Sequence, residues 1–209
     1  MLEKYSGLIG KNHKETKIMD AKNCIQKLKL INSVSMATVG EDGSPQVRII
    51  GVMHTDAEKL YFLTARGKPF YHELLRDKRV AVLGLSRFKE MIRLNGIPEL
   101  LPKEEQAEWL DKLFEENPYM KNVYPGKTRQ VLDVFCIEDG EIEYFNLGVH
   151  PIFRESYIIG NGISKQKIYM ITSDCIGCGI CVKICPQNCI IQDTLCRIVQ
   201  ENCLRCGSC

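Results

Sequence analysis

Apolar residues near the start of the chain recur every three or four positions, then change to alternation. Ile18, Ala21, Ile25, Leu28 and Ile31 fall on one helical face with lysines between them, so the spacing predicts an amphipathic helix over residues 15–32. Strand patterns follow. Val34–Val39 and Gln46–Met53 flank a turn at Glu41–Ser44 built around Asp-Gly, and Leu60–Thr64 is a third strand after a turn at Asp56–Lys59. Lys68–Arg76 reads as a short helix opened by proline. Arg79–Leu85 and Glu90–Leu94 are further strands, the second ending at Asn95-Gly96. A helix from about Pro102 turns Ala107, Leu110, Leu113 and Phe114 inward, and Gln130–Ile137 and Glu141–Asn146 are the last strands, hinged at Asp139-Gly140. Six or seven short strands joined mostly by hairpins predict a mainly β (α+β) fold. The expected architecture is an antiparallel split barrel with a few flanking helices, not a βαβ sheet.

From Gly148 to Lys167 the pattern lapses around Gly160-Asn-Gly162. The expected division is a barrel over residues 1–150, a linker over 151–167 and a small domain over 168–209. A chain of 209 residues suits such a pair. Lys and Arg number 28 against 26 Asp and Glu, which gives no reason to expect nucleic acid as a partner. Lys11, Lys14, Lys17, Lys22, Lys27 and Lys29 read as a solvated helix face. No apolar run approaches membrane-spanning length, and the first residues lack the apolar core of a signal peptide, so no membrane partner is expected.

Cysteine changes the picture. Nine of the 11 lie after residue 174, while Cys24 and Cys136 stand alone in apolar surroundings and read as buried packing. A reducing cytoplasm suits free thiolates better than a disulfide scaffold. Cys175, Cys178 and Cys181 stand at three-residue steps, with Cys185-Pro186 four residues on, and Cys203, Cys206 and Cys209 repeat the triple. That is the bacterial iron–sulfur ligand run, whose fourth cysteine serves the neighbouring cluster. A shift of 28 residues superimposes the triples and places Gly179 on Gly207 and Asp174 on Asn202. The segment thus resembles a two-cluster ferredoxin. Cys185, Cys203, Cys206 and Cys209 complete one [4Fe-4S] site. Cys175, Cys178 and Cys181 form a second that is one ligand short. Either the natural chain continues past Cys209, or Cys189 or Cys196 substitutes, although each reads more simply as a small core residue. Structural zinc on paired CxxC motifs is the alternative filling.

Other motifs drop out. No GxGxxG follows a strand. Gly126-Lys127-Thr128 lacks the first glycine and the strand of a P-loop. His13, His54, His72 and His150 share no ligand spacing, and no Ser or Cys sits in a nucleophile elbow. The order of strands does carry a resemblance. Met36–Ile50, Leu60–Lys68, Leu74–Asp77, Arg79–Val82 and Ile92–Gly96 resemble the pyridoxamine 5′-phosphate oxidase-like split barrel over about residues 20–147, whose members bind FMN. The resemblance implies that Arg48, Ile49 and Ile50 run along the flavin with Arg48 at its phosphate, and that Thr64 and Lys68 add phosphate contacts. The family has lysine where Met53 stands, glutamine near Met91, a longer loop between Thr64 and Lys68, and a Trp and Arg pair without counterpart in Tyr144–Leu147. These departures count against oxidation of pyridoxamine phosphate and leave FMN binding as the expectation. Such barrels pair as homodimers around the flavin.

Clusters pass single electrons, whereas flavin handles one or two. The two together lead to an FMN-dependent oxidoreductase whose substrate is a small oxidised molecule or a redox partner protein. The alternative is a non-catalytic electron carrier or redox sensor with the barrel as dimerisation scaffold.

Overall fold

The computed structural model describes residues 19–164 and 168–209. Helix α1 (Ala21–Ile31) starts where Asp20 accepts a hydrogen bond from the Asn23 amide at 2.6 Å, and it ends at Asn32 in a left-handed conformation. It buries Ala21, Cys24, Ile25 and Leu28. Ile18 and the lysines up to Lys17 lie outside the described residues. Only part of the expected solvated face survives. Lys22 is exposed, but Lys27 Nζ reaches Glu90 at 2.8 Å, and Lys29 Nζ donates to the carbonyls of Val52 and Met53. Burial holds the Lys29 ammonium below its usual pKa.

The strands are β1 (Ser33–Val39), β2 (Pro45–Gly51), β3 (His54–Asp56), β4 (Lys59–Ala65), β5 (Val80–Leu85), β6 (Glu90–Leu100), β7 (Leu132–Asn146) and β8 (Phe153–Ile159). All pair antiparallel in the order β2-β1-β5-β6-β7-β4-β3, with β8 also on β7. One edge of β7 faces β6 throughout. Its other edge takes β4 along Leu132–Ile137 and β8 along Gly140–Asn146, and the sheet splits between them.

Three expectations are corrected here. First, Asn95-Gly96 and Asp139-Gly140 are not strand ends. Both lie inside continuous strands, with Gly96 directly opposite Gly140 and a bulge beside them at Ile97–Pro98. A β-carbon on Gly140 would strike the Asn95 carbonyl, and one on Gly162 would strike the Gly140 carbonyl, so the glycines permit a close crossing rather than a turn. Second, the stretch read as linker contains β8, whose charged residues Arg154 and Glu155 break the apolar alternation. Third, Ala107 is exposed, while Leu110, Leu113 and Phe114 of α3 (Gln106–Glu116) turn inward as expected.

The main core lies between α1, α2 (Pro69–Arg76) and the sheet, with Phe62 stacked on Phe135 and Phe70. A second core packs α3 and α4 (Met120–Val123) on Tyr61, Leu132 and Val134. The C-terminal module is slight by comparison: α5 (Ile180–Ile184), a hairpin of β9 (Ile190–Ile191) and β10 (Arg197–Ile198), and a core in which three of five buried residues are cysteines. It rests on the barrel. Gln187 accepts from the Ile152 amide and Asn202 donates to the Ile152 carbonyl, both at 2.8 Å.

Candidate functional site

Two centres emerge. The first is an open cleft of about 520 Å³ between β2, β4, the start of α2 and α4. Arg48, Ile49, Ile50, Thr64 and Lys68, far apart in sequence, all line it. Alternation on β2 points Ile49 outward, 68% exposed, and Arg48 toward α2. The Arg48 guanidinium is already engaged. It donates to Thr38 Oγ1 at 2.6 Å and to Glu73 Oε2 at 2.7 Å, and it lies 4.4 Å from the Phe70 ring centre. Thr38 and Glu73, both buried, are the residues that sequence reasoning missed. They sit on separate elements, and only the folded sheet brings them to Arg48.

Thr64 is buried, and its hydroxyl reaches no hydrogen-bond partner. Such an atom is costly unless something binds it. The turn after β4 is held by the Arg66 amide on the Val131 carbonyl and by Arg66 on Asp133 at 2.7 Å, a carboxylate that also accepts from Tyr71. This turn leaves Lys68 exposed as the cap residue of α2, with no side chain closing the helix start. An unpartnered hydroxyl, an exposed ammonium and uncapped amides suit a phosphate, while Ile50, Leu63, Phe70 and Leu132 give the apolar wall a flat ring system needs. The residues present therefore fit FMN, with Glu73 offsetting the charge of Arg48.

The second centre is the cysteine array. Cys185, Cys203, Cys206 and Cys209 line one cavity, as the ligand run requires, together with buried Cys189, whose sulfur lies 3.5 Å from that of Cys185. The sequence repeat persists in the backbone. The Gly177 amide donates to the Cys175 sulfur at 3.4 Å and the Arg205 amide to the Cys203 sulfur at 3.3 Å. Gly177 and Arg205 share a left-handed conformation, as do Gly179 and Gly207. N–H donors aimed at sulfur favour thiolate, the form that binds iron. Among the described residues no group of His, Cys, Asp or Glu converges on a single-ion site. Several thiols gathered around one small cavity are the donor chemistry that an iron–sulfur cluster takes.

A charged node on β7 lies within electrostatic reach of Cys203. Arg93, Arg154 and Arg205 all approach Glu143 of β7, the last two at 3.5 and 3.8 Å. Buried Nε atoms of Arg154 and Arg205 have no acceptor. Burial lowers the Arg154 pKa, against the pull of Glu143. Three guanidiniums against one carboxylate leave positive charge where an anionic cluster would sit nearby. Elsewhere, Cys24 and Cys136 are buried, and burial pushes both thiols up to about 12.

Comparison with known proteins agrees with the fold. A sequence model of the pyridoxamine 5′-phosphate oxidase family matches residues 22–138, and one of a 4Fe-4S binding domain matches residues 168–191. No curated protein matches the chain. Among solved structures, a NimC/NimA family protein from Clostridium acetobutylicum is 22% identical with a TM-score of 0.57, over 66% of this chain and 92% of its own. A pyridoxamine 5′-phosphate oxidase-related, FMN binding protein from Nostoc punctiforme is 15% identical with a TM-score of 0.51, over 67% and 93%. A heme binding protein from Mycobacterium smegmatis is 13% identical with a TM-score of 0.53, over 67% and 58%. At such identities the likeness shows the fold alone. The matched family model spans more than half of the chain, and the chain belongs to the pyridoxamine 5′-phosphate oxidase family, with a 4Fe-4S binding domain following its split barrel.

Proposed function

We propose that the protein is an FMN-dependent oxidoreductase in which iron–sulfur clusters relay single electrons to or from the flavin. The observation that carries this reading is the convergence of Arg48, Ile49, Ile50, Thr64 and Lys68 on one cleft, with the Thr64 hydroxyl awaiting an acceptor. Bound FMN would exchange one or two electrons, and the clusters one. The chain's own residues then position and shield. Thr64 would donate to a phosphate oxygen and Lys68 would supply charge. Phe70 and Glu73 hold the Arg48 guanidinium still, and Ile50, Leu63 and Leu132 keep water from the ring.

The substrate is a small oxidised molecule or a redox protein, and the setting is the cytoplasm. Among the described residues no helix is long and apolar enough to cross a membrane. A homodimer is part of the proposal. Edge strand β2 presents Val47 and Ile49, 72% and 68% exposed, beside the cleft, and a second copy would cover them.

Anaerobic purification with flavin, iron and sulfide counted per chain tests the reading. Stoichiometric FMN with both cluster elements is expected. A brown protein bleached by dithionite that releases no FMN on denaturation would sink the flavin half. A second reading, a carrier or sensor without catalysis, draws on the pairing of Arg48 with Glu73, which leaves less free charge for a phosphate. Flavin-dependent turnover with artificial acceptors would exclude it.

A further inference from the structure

The two cysteines outside the regular spacing part company in the fold. Cys189 sides with the second site, against Cys185 and Cys203. That site already has four ligands in Cys185, Cys203, Cys206 and Cys209, so Cys189 would be a fifth sulfur there. Cys196 goes the other way. It is buried, and its thiol lies in the neighbourhood of those of Cys181 and Cys175, with its backbone amide on the Cys175 side.

The placement follows from how the β9–β10 hairpin packs. Ile191 pairs with Arg197, so the chain reverses between Gln192 and Cys196. The tip of this hairpin lies on the loop between the first two cysteines of the first site. Gln192 donates to the Gly177 carbonyl at 2.8 Å. A β-carbon on Gly177 would come within 3.6 Å of the Thr194 carbonyl, and one on Gly179 within 2.8 Å of the Gln192 amide oxygen. Glycine suits the left-handed backbone at both positions, and at Gly179 it also admits the hairpin. A short strand pair thus delivers a buried thiol beside the loop that carries Cys175 and Cys181.

We infer that Cys196 is the fourth ligand of the first [4Fe-4S] site, completing Cys175, Cys178 and Cys181 from the β9–β10 hairpin. The inference rests on the iron–sulfur reading of the array. On binding, the Cys196 thiol would lose its proton to solvent and its sulfur would ligate one iron of the cluster. No electron changes hands. Cys189 stays a thiol in the core.

The test is anaerobic reconstitution of the chain with iron and sulfide, beside C196A, C196S and C189A. Wild type and C189A are each expected to hold about eight irons, from two four-iron clusters. C196A should lose from about one to about four of those eight. If the first cluster is retained as a three-iron species, the oxidised variant should show an EPR signal that wild type lacks. C196S, which preserves side-chain size if alanine disturbs folding, should hold iron with altered EPR and optical spectra. Iron content and spectra of C196A and C196S indistinguishable from wild type would overturn the assignment. So would wild type saturating at about four irons. Stoichiometric zinc and no iron in wild type would instead overturn the iron–sulfur reading itself, and Cys196 with it.

Discussion

The barrel and the cysteine module solve the problem of staying folded in opposite ways. The barrel buries aromatic and branched side chains by the dozen and spends few polar groups inside. The module has two-residue strands, one turn-length helix and a core that is mostly thiol. A segment of that size cannot bury enough apolar surface to offset its chain entropy, so bound metal must supply the difference. The comparison teaches that the barrel's residues specify shape, whereas the module's residues specify ligands and the shape follows.

The harshest challenge to this contrast is removal of the clusters. Iron-free protein is expected to lose essentially all amide protection from Cys175 onward, while β6 and β7 exchange as before; protection surviving in the module would erase the distinction. The mirror experiment is Phe62→Ala. Phe62 is fully buried between Phe70 and Phe135, so the change should cost about 3–5 kcal/mol in chemical denaturation, with iron per chain unchanged. Loss of iron alongside stability would mean that the two parts fold as one.

A smaller effect is expected at the seam. Arg205→Gly suits the left-handed backbone but removes the contact with Glu143. Iron content should hold while the Ile152 amide exchanges at least about tenfold faster, the equivalent of roughly 1.4 kcal/mol of local opening. Within the cleft, Thr64→Val should weaken FMN binding about tenfold and leave the flavin-free protein as stable or up to about 1 kcal/mol more so, because it deletes an unsatisfied hydroxyl. Titration of FMN and thermal unfolding of the flavin-free protein read both. The least effect falls on the barrel's own thiols. With pKa values raised to about 12, Cys24 and Cys136 should resist alkylation at pH 8, where almost none of either is thiolate, and react only after unfolding restores the ordinary value.

Most strands were legible because alternation and hairpin turns are local. What escaped was set at a distance. Asn95-Gly96 and Asp139-Gly140 look like turns when read singly, and become a paired crossing only when β6 lies on β7. Strand β8 was hidden because half-buried Arg154 turns toward Glu143, so charge stands where the pattern asks for an apolar residue. In the cleft, the family resemblance brought forward the five residues that meet there, but not Thr38 and Glu73, whose meaning is their distance to Arg48. The ligand spacing of the array was plain in sequence. The company kept by Cys189 and Cys196 was not, since a hairpin fold decides it.

The backbone repeat has one further consequence. At matching positions of the two ligand loops, one copy has Gly177 and the other Arg205, in the same left-handed conformation that costs a non-glycine residue roughly 1–2 kcal/mol. The second copy has given up the comfortable residue for one that grips the barrel. This makes the module a fitted part and not an interchangeable cartridge. A ferredoxin segment with glycine there would lack this contact with Glu143 and dock on the sheet less firmly.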